Sequence, residues 1–138
     1  MIIDANNLIV GRLASFAAKR AMLGESVVVV NCEEAVMTGR RRNVIEKYKR
    51  KRTIGNVIKG PFYPRMPDRL IRRIIRGMLP HKQNRGATAF RRVQCYIGMP
   101  DEYKNQKIET LKFAEVSKVK DIGYIKIKEV VKELGVKI

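Results

Sequence analysis

Four consecutive valines, Val27-Val28-Val29-Val30, set the strongest constraint on the fold. A β-branched run without polar alternation reads as a strand buried on both faces, the situation of a parallel sheet covered on both sides. Upstream lie a short apolar opening, Met1 to Ala5, then Asn6-Asn7 with turn or N-cap chemistry, then a helical pattern from Leu8 to Leu23. In that pattern Arg12, Ser15 and Lys19 form one polar stripe, and Gly24 supplies the left-handed residue that ends helices. Strand, helix and buried strand in succession predict a right-handed parallel crossover. The fold class that follows is α/β, a small parallel sheet with helices on both sides.

Beyond Asn31, Ala35-Val36-Met37 is a short apolar piece, and Val44, Ile45 and Tyr48 recur at helical spacing among many cations. Residues 53–66, with Gly55, Gly60, Pro61 and Pro64, cannot sustain a regular element, which leaves Phe62, Tyr63 and Arg65 exposed in a loop. Pro67-Asp68 then opens the clearest helix of the chain: Leu70, Ile71, Ile74, Ile75 and Met78 make one apolar stripe, and Pro80 ends it. One short basic helical turn is expected within 82–92, a strand at Val93 to Ile97 closed by Gly98 and Pro100, and a polar stretch at 101–120 anchored by Tyr103, Leu111 and Phe113. Ile127, Val130, Val131 and Leu134 mark a last helix capped by Gly135. A length of 138 residues suits one domain spanning 1–138, with a scaffold at 1–39 and 93–138 and a basic block at 40–92.

The division into scaffold and block comes from the charge. The net charge is +17, yet residues 1–39 carry −1 and residues 93–138 only +2, while residues 40–92 hold 18 basic against 2 acidic side chains. Thirteen of those 18 cations are Arg, whereas all nine after residue 92 are Lys. Arg offers a rigid, weakly hydrated fork that pairs bidentately with phosphate and stacks on bases; Lys interleaved with Glu is the pattern of a solvated surface. A merely solvated charge run would carry compensating acids, and Glu46 and Asp68 do not suffice. Such an excess repels itself and binds polyanions, so nucleic acid is the first candidate partner.

Other classes fall away. The longest apolar run, Val27 to Val30, is far below the roughly 18 residues of a membrane span, and Met1-Ile2-Ile3-Asp4 lacks the basic start of a secretory leader, which points to the cytosol. Cys32 and Cys95 are too far apart in sequence for zinc-ligand spacing and read as buried, inert thiols; neither metal nor cofactor is expected. The one histidine, His81, sits in a basic loop without a nucleophile beside it, and Asp4 at the end of the first strand reads as a turn cap. Gly11, Gly24 and Thr38-Gly39-Arg40 build no nucleotide fingerprint, so no catalytic residue is assigned. Neither zinc-finger spacing nor the aromatic signature of an RNA-recognition sheet is present, which leaves phosphates and shape as the means of recognition.

Several blocks together resemble the universal large-subunit ribosomal protein thirteen family, in its compact archaeal and eukaryotic form. They are Ile3-Asp4-Ala5 with Val10-Gly11-Arg12-Leu13-Ala14, Val28-Val29-Val30-Asn31 with Thr38-Gly39, and above all Arg76-Gly77-Met78-Leu79-Pro80 followed by Arg85-Gly86 and Tyr96-Ile97-Gly98. The resemblance implies a three-layer α/β/α domain with a four-stranded parallel sheet and a structural place in the large ribosomal subunit. It further implies large-subunit ribosomal RNA and neighbouring ribosomal proteins as partners, and a cytoplasmic, ribosomal location. Two features depart from the bacterial pattern: the chain opens at its first strand, and Arg40 to Arg52 replace a His-rich segment.

On this reading the middle block clamps folded RNA. Arg69, Arg72, Arg73 and Arg76 follow i, i+3, i+4, i+7 opposite the apolar stripe of their helix. Arg40, Arg41, Arg42, Lys47, Lys49, Arg50, Lys51, Arg52, Lys59, Arg65, Lys82, Arg85, Arg91 and Arg92 complete the expected RNA-binding set, reaching phosphates from segments that order on binding. Phe62 or Tyr63 stacks on a base or plugs a protein neighbour. The competing classes are a free-standing RNA-binding translational regulator and an RNA-processing enzyme working through Asp4 and His81.

Overall fold

The computed structural model describes residues 1–118 and 123–137; Val119 and Lys120, the end of the polar stretch read over 101–120, lie outside them. Strand β1 (Ile2–Asp4), helix α1 (Val10–Met22) and strand β2 (Val27–Val30) form the expected parallel crossover, with Ile2 beside Val28 and Asp4 beside Val30. Strand β3 (Val36–Thr38) and helix α2 (Arg41–Thr53) follow, then helices α3 (Pro67–Gly77) and α4 (Asn84–Arg91), strand β4 (Val93–Cys95) and the two-residue strand β5 (Ile108–Glu109). Strand β6 (Tyr124–Lys126) runs directly into helix α5 (Ile127–Glu133). The main sheet has the order β4-β2-β1-β5 and is parallel throughout, so the fold class is the small α/β one expected. No helix among the described residues is long and apolar enough to cross a membrane.

The parallel register sorts the strand side chains. Ile3, Val27, Val29 and Val93 project to one face and join the buried side chains of α1 and α3 in the main core. Ile2 and Val30 project to the other face and are buried as well, which is why the valine run shows no polar alternation. Helix α1 faces this core with Leu13, Ala14, Ala17 and Ala21, leaving Arg12, Ser15 and Lys19 outside. Its alanines let α3 and α4 approach closely.

Three small strands, β3, β5 and β6, escape the sequence reading. β3 and β6 pair antiparallel, Val36 with Lys126 and Thr38 with Tyr124, in a separate two-stranded sheet that brings α5 beside α2. β3 reads only as a short apolar piece, β6 runs straight into α5 and merges with its helical pattern, and β5 has only two residues.

Several other expectations need correction. Met78 does not continue the apolar stripe of α3; the helix ends at Gly77, and Met78 at its cap is 44% exposed while Leu79 turns inward. Tyr63 is half-buried rather than exposed, because its ring packs on Tyr48 at 5.9 Å and under the Arg73 guanidinium. Phe113 is a partial anchor only: it leans on Phe16 at 5.7 Å and remains half-exposed. Within 82–92 the basic turn is a full two-turn helix, α4.

Gly86 in that helix is needed for packing, since a Cβ there would collide with the backbone carbonyl of Pro80. Both cysteines are free, Cys32 buried and Cys95 half-buried. A hydrogen bond with Cys95, and then burial, raise the Cys32 thiol far above its ordinary pKa.

Two outcomes follow from this packing. Gly86→Ala should destabilise the chain by about 1–3 kcal/mol, the ordinary range for overpacking, read from the urea midpoint at constant slope. In the folded chain Cys32 should resist a thiol reagent at neutral pH and become reactive on unfolding, followed by mass spectrometry of the labelled peptides.

Candidate nucleic-acid interface

Helix α3 has two chemically opposite sides. Leu70, Ile71 and Ile75 are fully buried and Ile74 partly so, which fixes the helix's rotation about its axis. Arg69, Arg72, Arg73 and Arg76 consequently lie on the outer side. Four like charges at i, i+3 and i+4 separations repel. Among the described residues none of the four has a carboxylate within ion-pair distance; Asp68, the acid at the helix start, pairs with none of them, and its Oδ1 and the Arg72 Nε are both buried without a hydrogen-bond partner.

Aromatic rings order two of these guanidiniums. Arg73 lies 4.6 Å over Tyr63 and donates to the Phe62 carbonyl at 3.0 Å, and Arg72 lies 4.8 Å over Phe90 of α4. Stacking uses the face of a guanidinium and leaves its N–H edges for other acceptors. Arg73 thereby also ties the segment after residue 60 to α3. The cleft between that segment, α3 and Phe90 has a volume of about 390 Å3 and carries the side chains of Phe62, Arg69, Arg72, Arg73 and Arg76.

Helix α2 divides its cations between two sides. Arg41 binds Glu129 at 2.6 Å and Glu133 at 3.7 Å, Lys49 binds Glu133 at 3.0 Å, and Arg52 donates to the Leu134 carbonyl at 2.6 Å. These three lie on the side that meets α5, whose Glu129 and Glu133 sit one turn apart to receive them. Arg40, Arg42, Lys47 and Arg50 are exposed, with no ion pair among the described residues. Lys51 lies 5.3 Å from the Tyr48 ring and 5.1 Å from the Tyr63 ring. Burial, and then the nearby Lys47 and Arg73, push its pKa down, while burial and Tyr63 push Tyr48 up to about 12.

The remaining cations lie on the segments that flank α3 in the chain. Lys59, Arg65, Lys82, Arg85 and Arg91 are exposed, with Arg85 donating to the Gln83 side chain at 3.1 Å. Arg92 is partly buried and donates to the Ala21 carbonyl at 3.3 Å, joining α4 to the end of α1. Arg41, Lys49, Arg52 and Arg92 thus hold internal partners in addition to any external one. The Glu129-x-x-x-Glu133 spacing was the readable sign that some α2 cations meet a partner within the chain. The turn between Asn56 and Gly60, closed by reciprocal backbone bonds of 3.1 and 2.8 Å, presents Val57 at 91% and Ile58 at 84% exposure.

The groups considered for catalysis are otherwise engaged. Asp4 Oδ1 accepts from the Asn6 amide at 3.0 Å and from the Asn31 side chain at 2.9 Å, fixing the two turns at the strand ends. His81 is exposed, its Nδ1 3.3 Å from the Leu79 carbonyl. No group of three or more metal-ligating side chains occurs among the described residues.

The fold and this surface define a class: a basic α/β protein carrying a guanidinium face that no acid among the described residues neutralises. Comparison with known proteins narrows it. A family described as Ribosomal protein L13 matches residues 1–102. Proteins named large ribosomal subunit protein uL13 are similar over nearly the whole chain. The one from Thermoplasma volcanium is 44% identical, covering 97% of this chain and 97% of its own; that from Methanococcoides burtonii is 42% identical, covering 99% and 98%. The one from Methanopyrus kandleri is 43% identical over 97% of this chain and 86% of its own. The chain belongs to the ribosomal protein L13 family, which is not known to be enzymatic.

The acids held in ion pairs make the stability of the fold depend on pH. Hydrogen bonds from Lys126 (2.7 Å) and Lys128 (2.6 Å) hold the Glu34 carboxyl below its ordinary range, and the bond from Lys49, helped by Arg41, does the same for Glu133. A carboxylate with a depressed folded pKa contributes stability that is complete above its unfolded value and is lost as pH falls through the folded one. Stability from urea titrations should therefore decline from about pH 5 downward, and the decline should be shallower in Glu34→Gln.

Proposed function

We propose that the chain is a structural constituent of the large ribosomal subunit that binds and stabilises folded large-subunit ribosomal RNA through the Arg/Lys surface of residues 40–92. The observation that carries this reading is the outer side of α3, where four guanidiniums stand together without a carboxylate partner among the described residues. A phosphate backbone relieves their mutual repulsion and accepts from their N–H edges. Residues 1–39 and 93–138 serve as the scaffold that orients the block. Arg40, Arg42, Lys47, Arg50, Lys59, Arg65, Lys82, Arg85 and Arg91 extend the contact around α3, while Arg41, Lys49, Arg52 and Arg92 contribute from positions already tied to the scaffold. Val57 and Ile58 neither stack on bases nor bind phosphate, and so face a neighbouring ribosomal protein. The work is done in the cytoplasm, on the ribosome.

Sedimentation of a native lysate tests the assignment: about one copy per large subunit should survive a salt wash that strips loosely held basic proteins. Recovery mainly in light fractions would support a free-standing regulator instead. In vitro, changing Arg72, Arg73 and Arg76 together to Gln should lower affinity for large-subunit RNA at least about tenfold and make the dependence of log K on log salt shallower by about 2 to 3. An unchanged affinity or a flat salt response in the parent chain sinks the electrostatic clamp.

A further inference from the structure

The cleft between α3, Phe90 and the segment at 62–64 differs from the rest of the basic surface. Concavities lined by Lys47, Arg50 and Lys51, or by Arg41, Arg42, Lys49 and Arg50, lie along α2, but none of them carries an exposed aromatic ring. This cleft, about 390 Å3, combines two different binding elements. One is the pair of guanidiniums of Arg72 and Arg73, held 4.8 Å and 4.6 Å from the Phe90 and Tyr63 ring centres, with the Arg73 N–H groups not bonded to Phe62 still free to donate. The other is Phe62, a ring 70% exposed at the cleft mouth and held there because Arg73 bonds its carbonyl at 3.0 Å.

An exposed aromatic ring is costly to hydrate, and beside guanidiniums that attract a phosphate backbone it is placed to stack a planar base. A base stacked in a duplex has no free face to offer it, whereas an unpaired one has. We infer that this cleft is a nucleotide subsite that takes one extruded, unpaired nucleotide of the bound RNA, with its base on Phe62 and its phosphate on the N–H edges of Arg72 and Arg73. Arg69 and Arg76 flank the phosphate along the same helix face. This rests on the RNA-binding reading above and adds to it a preference for RNA interrupted by a bulge or splayed base. The rigid guanidinium geometry makes the subsite preformed, so the base adds affinity without ordering the protein first.

The test uses the full chain and three RNA hairpins of one stem sequence: fully paired, with a single adenosine bulge, and with an abasic bulge at that position. The parent chain should bind the adenosine bulge about tenfold tighter than the other two, the size of one base–aromatic stack. Phe62→Leu, a change at an exposed side chain, should abolish that preference and leave affinity for the paired hairpin and its salt dependence unchanged. Equal binding of all three hairpins by the parent, or a preference that survives Phe62→Leu, overturns the subsite while the salt-dependent clamp stands. Absent or salt-insensitive binding to every hairpin overturns both. Free adenosine monophosphate should fail to displace the bulged hairpin at millimolar concentration; displacement at micromolar concentration would mark a free-nucleotide site and overturn the RNA assignment.

Discussion

Burial of one side of α3 against α1 and the main sheet is the constraint on which the functional surface depends. Leu70, Ile71 and Ile75 leave the solvent completely, and each such side chain is worth about 1.5–3 kcal/mol on burial. The repulsion among neighbouring guanidiniums on the other side amounts to a few tenths of a kcal/mol per pair. The hydrophobic term wins by a wide margin, so the chain can hold four unneutralised cations in a fixed row. Rotating the helix to spread them would bring isoleucine into water.

The second organising element is the small sheet of β3 and β6. It places α5 along α2, where Glu129 and Glu133 receive Arg41 and Lys49. A basic helix that its neighbouring cations would otherwise repel is held against α5 on one side and left cationic on the other. Individual exposed ion pairs of this type contribute little, but together with Val44 and Tyr48 in the core they set the orientation of α2. The same division recurs at Arg73, whose guanidinium packs over Tyr63, bonds the Phe62 carbonyl and still presents N–H edges outward. In this molecule arginine both packs on a ring and braces a neighbouring segment, for which a lysine ammonium lacks the planar face.

Long, strongly periodic elements were legible beforehand. The valine strand, α1, the amphipathic α3 and the last helix all follow from patterns repeated over several turns or residues. A helical stripe extrapolates past the point where Gly77 ends the helix, so periodicity puts Met78 on the buried side. The burial of Tyr63 is created by Tyr48 and Arg73, residues distant in sequence whose approach no local pattern signals. β3, β5 and β6 are too short to carry a period, and their existence rests on partners far along the chain.

The sequence by itself determined the class of fold, the location of the excess charge, the choice of Arg over Lys within it, and the family. Those are properties of local periodicity, composition and motif, which need no knowledge of what lies opposite. Only the tertiary structure decided which cations face outward and which are engaged by α5 or by backbone carbonyls, and that Phe62 stands open beside the α3 arginines. Those outcomes depend on distances between segments far apart in the chain, set by core packing and strand pairing, and a linear pattern carries no information about them.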